Sequence, residues 1–326
     1  MTTLTLEDPP VDRADAGQRL RRTAAAVRVS FTWWGITKAL TSEQKEEVGE
    51  AYGADASFLT AAKKLIDRKH PAYKTLTSLR SQIKSYWRGI TLPYVEPRVR
   101  LIRQSDIEGF VTAMEERHSE LKQAEMDLEA VYDEIRSQAR QRLRKLYDAG
   151  DYPSEIKGLF DVAWDFPSIE PPNYLMRLNP ELYAQEQERI TRRFEEAVHL
   201  AEQAFVAEFA RLISHLTERL TNDATGERRI FRDSAISNLT EFFEKFRHLN
   251  VNSNAELDQL VGRAQDLVKG VQPQELRIDD SLRQHIAREM VQVGSQLEAL
   301  IVDQPRRQII RRAASPNGGA DANGHR

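Results

Sequence analysis

Apolar positions recur every third or fourth residue through most of this chain, the period of an amphipathic helix. The longest run occupies residues 106–147. There Ile107, Phe110, Val111, Met114, His118, Leu121, Leu128, Val131, Ile135, Leu143 and Leu146 keep the spacing, with no Gly or Pro after Gly109. At 1.5 Å per residue such a helix is roughly 60 Å long. A second run of matching length follows. Asn179 supplies its cap and Pro180 its first position, and Ile190, Phe194, Ala197, Ala201, Phe205, Leu212, Leu216 and Leu220 continue its stripe. Neither stripe can be buried alone, so two such helices joined by a connector predict an antiparallel hairpin with a coiled-coil seam. The same period predicts shorter helices over 42–52, 56–68, 71–89, 232–248, 254–269 and 280–302. Capping-box spacings at Thr41/Gln44, Ser105/Glu108 and Ser253/Glu256 mark helix starts.

One stretch departs from this period. In VRVSFTWWG, residues 27–35, Val27, Val29, Phe31 and Trp33 fall on one face, Arg28, Ser30, Thr32 and Trp34 on the other, and Gly35 ends the alternation. A period of two is that of a strand. A lone strand leaves its N–H and C=O groups unpaired, so it needs neighbours. RVRLIR at 98–103 and RRIFR at 228–232 are also strand-like and flank the root of the hairpin. The three are expected to meet there in a small sheet; the alternative is that all three are irregular loops. The fold class is then mainly α: a long antiparallel helical hairpin, a coiled-coil arm, inserted in a helical head with a small β element at its base. The divisions are a flexible arm over 1–22, head segments over 23–104 and 222–304, the hairpin over 105–221 with its tip at 149–179, and a tail over 305–326.

Composition narrows the function classes. The chain has 326 residues, 40% hydrophobic and 30% charged, which suits long helices that bury one stripe and solvate the rest. No cysteine is present, which excludes disulfides, thiolate metal sites and cysteine nucleophiles. The opening MTTLTLEDPPVDRADAG lacks the basic and apolar regions of a secretory signal, and no apolar run reaches the length of a membrane span, so a cytoplasmic protein is expected. The net charge of −3 conceals an asymmetry: over 63–103, eleven Lys or Arg stand against Asp67 and Glu96 alone.

Candidate chemistry is sparse. Glu115/His118 and Glu196/His199 both have the Glu-x-x-His spacing of di-iron bundles, but in the expected hairpin they fall about eleven residues apart, roughly 16 Å, and no metal or other cofactor is expected. P-loop, GxGxxG, HExxH and GxSxG patterns are missing, and Asp161 and Asp165, flanking Trp164, read as caps or solvated groups rather than an acid–base pair. Two surfaces remain. The connector holds Trp164, Phe166, Ile169 and Tyr174, aromatic and apolar groups that either bind a protein partner at the arm tip or fold back over the seam. The basic segment interleaves cations with Tyr73, Tyr86, Trp87 and Tyr94; Lys74, Arg80, Lys84 and Arg88 lie off its apolar stripe and would contact nucleic-acid phosphates, unless they form a solvated or internally paired face. RRQIIRRAAS in the tail has the look of a basic-directed phosphorylation site.

A strand-like VRVSFTWWG, a charged helix, and then a long helical pair broken by an aromatic–proline connector is an order that resembles a bacterial and phage family, domain-of-unknown-function family 3150, across about residues 24–304. Genes of such families sit beside those of MoxR-like ATPases. The resemblance therefore implies an accessory or adaptor role, with such an ATPase as partner, and carries over no catalytic residue. The expectation is a non-enzymatic scaffold or adaptor that contacts a protein through the arm. The alternative is a nucleic-acid-binding accessory protein that uses the 63–103 segment.

Overall fold

A computed structural model describes residues 13–221 and 231–302. In chain order its elements are α1 (Arg13–Thr23), β1 (Ala24–Trp33), β2 (Thr37–Ala39), α2 (Ser42–Tyr52), β3 (Ala62–Lys64), α3 (Pro71–Gly89), β4 (Thr91–Pro93), β5 (Val99–Arg103), α4 (Ile107–Ala130), α5 (Tyr132–Leu143), β6 (Phe160–Asp165), α6 (Asn173–Leu178), α7 (Pro180–Leu220), α8 (Ser234–Leu249), α9 (Ala255–Val268), α10 (Glu275–Ile278) and α11 (Asp280–Val302). The protein is thus mainly helical, with a small antiparallel sheet, and among the described residues no helix is long and apolar enough to cross a membrane.

The alternating stretch is a strand, and the sheet is built on it. Strand order is β4-β5-β1-β6, every pair antiparallel. The first half of β1 pairs with β5, from Ala24↔Arg103 to Arg28↔Val99, and its second half pairs with β6, from Arg28↔Asp165 to Trp33↔Phe160. These two neighbours use opposite edges of β1. Its side chains divide as the period of two requires. Val27 and Val29, with half-buried Phe31 and Trp33, enter one core; Ala24 and Ala26 enter another; Arg28, Ser30 and Thr32 are exposed.

The two cores lie on the two faces of the sheet. One gathers Leu76 and Ile83 of α3, Phe110, Met114, Leu121 and Leu128 of α4, and Phe160 of β6. The other gathers Leu20 of α1, Phe194 and Phe209 of α7, Phe242 of α8, Leu260 of α9 and Met290 of α11. In the second core, Phe209 stacks on Phe242 at 5.0 Å and Phe205 meets Phe246 edge-on at 5.0 Å, which locks α7 to α8.

This division alters the expected arm. The two long helices do not share a seam: the stripe of α4 packs on α3 and β6, whereas that of α7 packs on α1, α8 and α11. Each stripe is buried on a different side of the sheet, so neither needs the other. The outgoing helix is also interrupted at Val131, between α4 and α5, and the chain leaves α5 through Arg144 at φ 48°. Nor is the connector a remote tip. Its FDVAWD segment carries its own period of two, with Phe160, Val162 and Trp164 turned toward the core of α3 and α4. Glu125 and Glu129 of α4 fasten it by accepting the main-chain N–H groups of Phe160 (3.0 Å) and Ile156 (2.7 Å).

Other expectations change in detail. The place beside β1 foreseen for 228–232 belongs to β6; residues 228–230 lie outside the described residues, and Phe231 and Arg232 are not in a strand. Part of the foreseen flexible arm is α1, which buries Ala16 and Leu20 against α7. The helix foreseen over 56–68 is replaced by a short 3-10 turn, Ala56–Phe58, and by β3, which pairs with β2. The capping box at Thr41/Gln44 forms, whereas Ser105 bonds Asp106 instead and Asn254 rather than Ser253 caps α9.

A basic groove as candidate functional site

α3 is a regular helix from Pro71, and residues at i, i+4 and i+8 along it share a face. Arg80, Lys84 and Arg88 have that spacing and stand along an open groove of about 660 Å³. Its opposite wall is the hairpin joining β4 to β5, which brings Arg98 and Arg100; its floor includes Val29, Ser30 and Phe31 of β1. Five cations therefore border one groove, and among the described residues Glu96 is the only carboxylate that lines it. Arg193 of α7 already engages Glu96 at 2.6 Å.

The cations are held by aromatic faces and carbonyls instead of acids. The Arg80 guanidinium lies 4.4 Å from the Trp33 ring centroid and 5.5 Å from that of Phe31, and Lys84 Nζ lies 5.3 Å from Phe31. Arg100 donates to Thr91 Oγ1 and to the Thr91 carbonyl, both at 2.7 Å, and covers Trp87 at 5.9 Å. Crowding like charges at a partly buried site penalises protonation. Burial, then the charges of Arg80 and Arg88, push the Lys84 ammonium below its ordinary value. Burial, then Arg88, push Arg100 down to about 10. Three groove residues carry a buried donor without a hydrogen-bond acceptor among the described residues: Arg80 Nε, Trp87 Nε1 and the Tyr94 hydroxyl.

The far wall turns tightly. Val99 N–H donates to the Glu96 carbonyl at 3.2 Å, which closes a four-residue turn with Pro97 second and Arg98 third. Arg98 has φ 68°. Pro followed by a left-handed residue is the pattern of a type II turn, where Gly is the usual third residue. An arginine there costs of order 1 kcal/mol relative to the relaxed backbone. Such strain in a residue that lines a groove points to a role for its side chain.

Arg80, Lys84 and Arg88 meet at the groove; Lys74 lies on another side of α3, beside Pro71, Thr75 and Ser78. Arg98 and Arg100 were countable in the basic segment, but only the turn at Pro97 aims them here. The connector residues do not form one surface. Trp164 is half-buried in the α3–α4 core, Phe166 meets Phe110 edge-on at 6.1 Å, Ile169 packs on the opposite core, and Tyr174 is exposed on α6 with Met176 and Leu178. The Glu-x-x-His sets do not converge either: His118 Nε2 pairs with Asp161 Oδ1 at 2.9 Å on the α4 side, and His199 belongs to α7 in the other layer. Lys122 joins Asp161 at 3.1 Å.

No protein-family model, curated protein or solved structure matches this chain in comparisons of its sequence and fold.

Proposed function

We propose that this chain is a non-enzymatic adaptor that holds an acidic segment of a partner protein in the groove between α3 and the β4–β5 turn. One observation carries the reading: five cations face one groove and, among the described residues, no carboxylate is paired with Arg80, Lys84, Arg88 or Arg98. An anionic ligand supplies the missing charge. Nucleic acid would satisfy the charge as well, but single-strand recognition also uses open aromatic faces for stacking. Around this groove Phe31 and Trp33 lie under Arg80, and Trp87 is buried. An acidic protein segment fits better, and a MoxR-like ATPase, the partner implied by the family resemblance, is one candidate to bear it.

The test is fluorescence anisotropy with a labelled oligoglutamate peptide and a labelled single-stranded oligonucleotide, at rising salt, against the wild type and Arg88→Glu/Arg98→Glu. Both replaced residues are exposed, so the fold is kept. Expected is peptide binding that weakens with salt and falls at least about tenfold in the variant, in keeping with screened surface charge. Absence of peptide binding at low salt overturns the proposal, and preference for the oligonucleotide transfers the groove to nucleic acid.

A further inference from the structure

The groove has a second property, which belongs to the main chain. Pairing of β1 with β5 stops at Arg28↔Val99, but pairing with β6 continues to Trp33. Over residues 29–33, β1 is therefore flanked on one edge only, and the other edge faces the groove at Val29, Ser30 and Phe31. Along a strand, main-chain groups point alternately to either side. Trp34 N–H donates to the Leu159 carbonyl at 3.0 Å, next to the β1–β6 ladder. That assigns the even-numbered residues to β6 and turns the N–H and C=O groups of Phe31 and Trp33 toward the empty edge. No hydrogen bond from another loop, turn or side chain reaches them among the described residues.

Resting on the adaptor reading above, we infer that the partner segment binds as an added β-strand, continuing the line of β5 beyond Val99 and pairing with Phe31 and Trp33 of β1. The partner's chemistry follows from the strand period. In an extended peptide, alternate side chains share a face. The face toward α3 meets Arg80, Lys84 and Arg88, so Glu or Asp is required at every second residue. The other face meets exposed Ser30 and Thr32 and the Arg28–Asp165 cross-strand pair, where small or hydroxylated residues fit. Main-chain bonds then provide affinity and the alternate acids provide selectivity, the division of labour in strand addition. The open stretch is about five residues, roughly 17 Å, the length of an ordinary strand.

The experiment uses the intact wild-type protein and three synthetic peptides of alternating Glu and Thr. One is unmodified. The second is N-methylated at one amide that faces β1, and the third at an adjacent amide that faces solvent. The two methylated peptides are also made in the opposite order, which covers both strand orientations. Titration by calorimetry is paired with amide hydrogen exchange. Supporting results are a loss of about tenfold in affinity or more for one methylation phase only, with slowed exchange at the Phe31 and Trp33 amides in the complex. Equal affinity in both phases, with those amides unprotected, overturns strand addition and leaves the adaptor reading standing as a charge contact. No binding by any of these peptides, while a single-stranded oligonucleotide titrated in parallel is retained, overturns both. No binding of any polyanion also overturns both and leaves the cations as guards of the edge against self-association.

Discussion

Asp151 is the sharpest test of how the connector is held. Its side chain has no solvent exposure; Lys63, whose side chain is 4% exposed, places Nζ 2.6 Å from its Oδ2 and donates at 2.7 Å to the Leu146 carbonyl, while Lys38 reaches Oδ1 from the solvent side. Removing one member of a buried pair leaves an uncompensated charge and typically costs about 3–5 kcal/mol. Asp151→Ala leaves Lys63 with one carbonyl, so its loss belongs in that range. Lys63→Met leaves Asp151 still paired to Lys38, so it should cost less. In the double variant no buried charge is stranded, and the loss should fall at least ~2 kcal/mol short of the sum of the singles. Urea denaturation of all four proteins, followed by far-UV circular dichroism, measures this cycle. A cost below about 1 kcal/mol for Asp151→Ala, or strict additivity, would refute a buried pair that clamps the connector to the β2–β3 unit.

Acid should loosen the same clamp. Burial raises the Asp151 carboxyl, but bonds from Lys38 and Lys63 outweigh it, and burial of Asp161 is likewise outweighed by Lys122 and His118, so both stay below the usual carboxylate range. Depressed carboxyls stabilise the fold above their unfolded value near pH ~3.9 and lose that contribution as pH falls through the folded value, so stability should drop below about pH 4, and less so in Asp161→Asn. Arg98→Gly should relieve backbone strain and stabilise by up to ~1 kcal/mol while weakening peptide binding; a stability loss would mean that the left-handed turn is misassigned. Trp33→Ala should cost roughly 2 kcal/mol, less than a fully buried indole because the ring is half-buried, and chemical denaturation giving under about 0.5 kcal/mol would deny its contacts with Phe160 and Arg80.

How much could be read in advance depended on whether a residue's partner was local. Helices α7, α8, α9 and α11 follow from their own period, since caps and stripes are contained in a few turns. β1 was also legible, because alternation in VRVSFTWWG is a local property. Its partner β6 was not. FDVAWD alternates just as clearly, but it is six residues long and set among prolines and aromatics, and pairing across more than 120 residues leaves no trace in spacing. The supposed seam failed for a related reason. An amphipathic stripe states that a face must be buried and says nothing about what buries it. The sheet supplied each long helix with a face of its own. Among site residues, Arg80, Lys84 and Arg88 were recognisable, with Lys74, because they lie off the apolar stripe of their helix, while their opposition to Arg98 and Arg100 depended on a turn.

That turn links sequence to the proposed site most directly. Glu96-Pro97-Arg98-Val99 reverses the chain, so β5 begins at Val99, opposite Arg28. Had the reversal come five residues earlier in the chain, β5 would run on to the position opposite Trp33, and β1 would be paired along both edges. Placed here, it exposes half a strand and at the same point projects a strained arginine beside it. An open strand edge is a hazard that folded proteins blunt with charge. Five cations along one groove, with its lining carboxylate Glu96 already paired to Arg193, go further than blunting requires. They repel a second copy of the same basic edge and admit an acidic strand. The arrangement discriminates between the two by sign, which is how one groove can be protected from self-association and still be available to a partner.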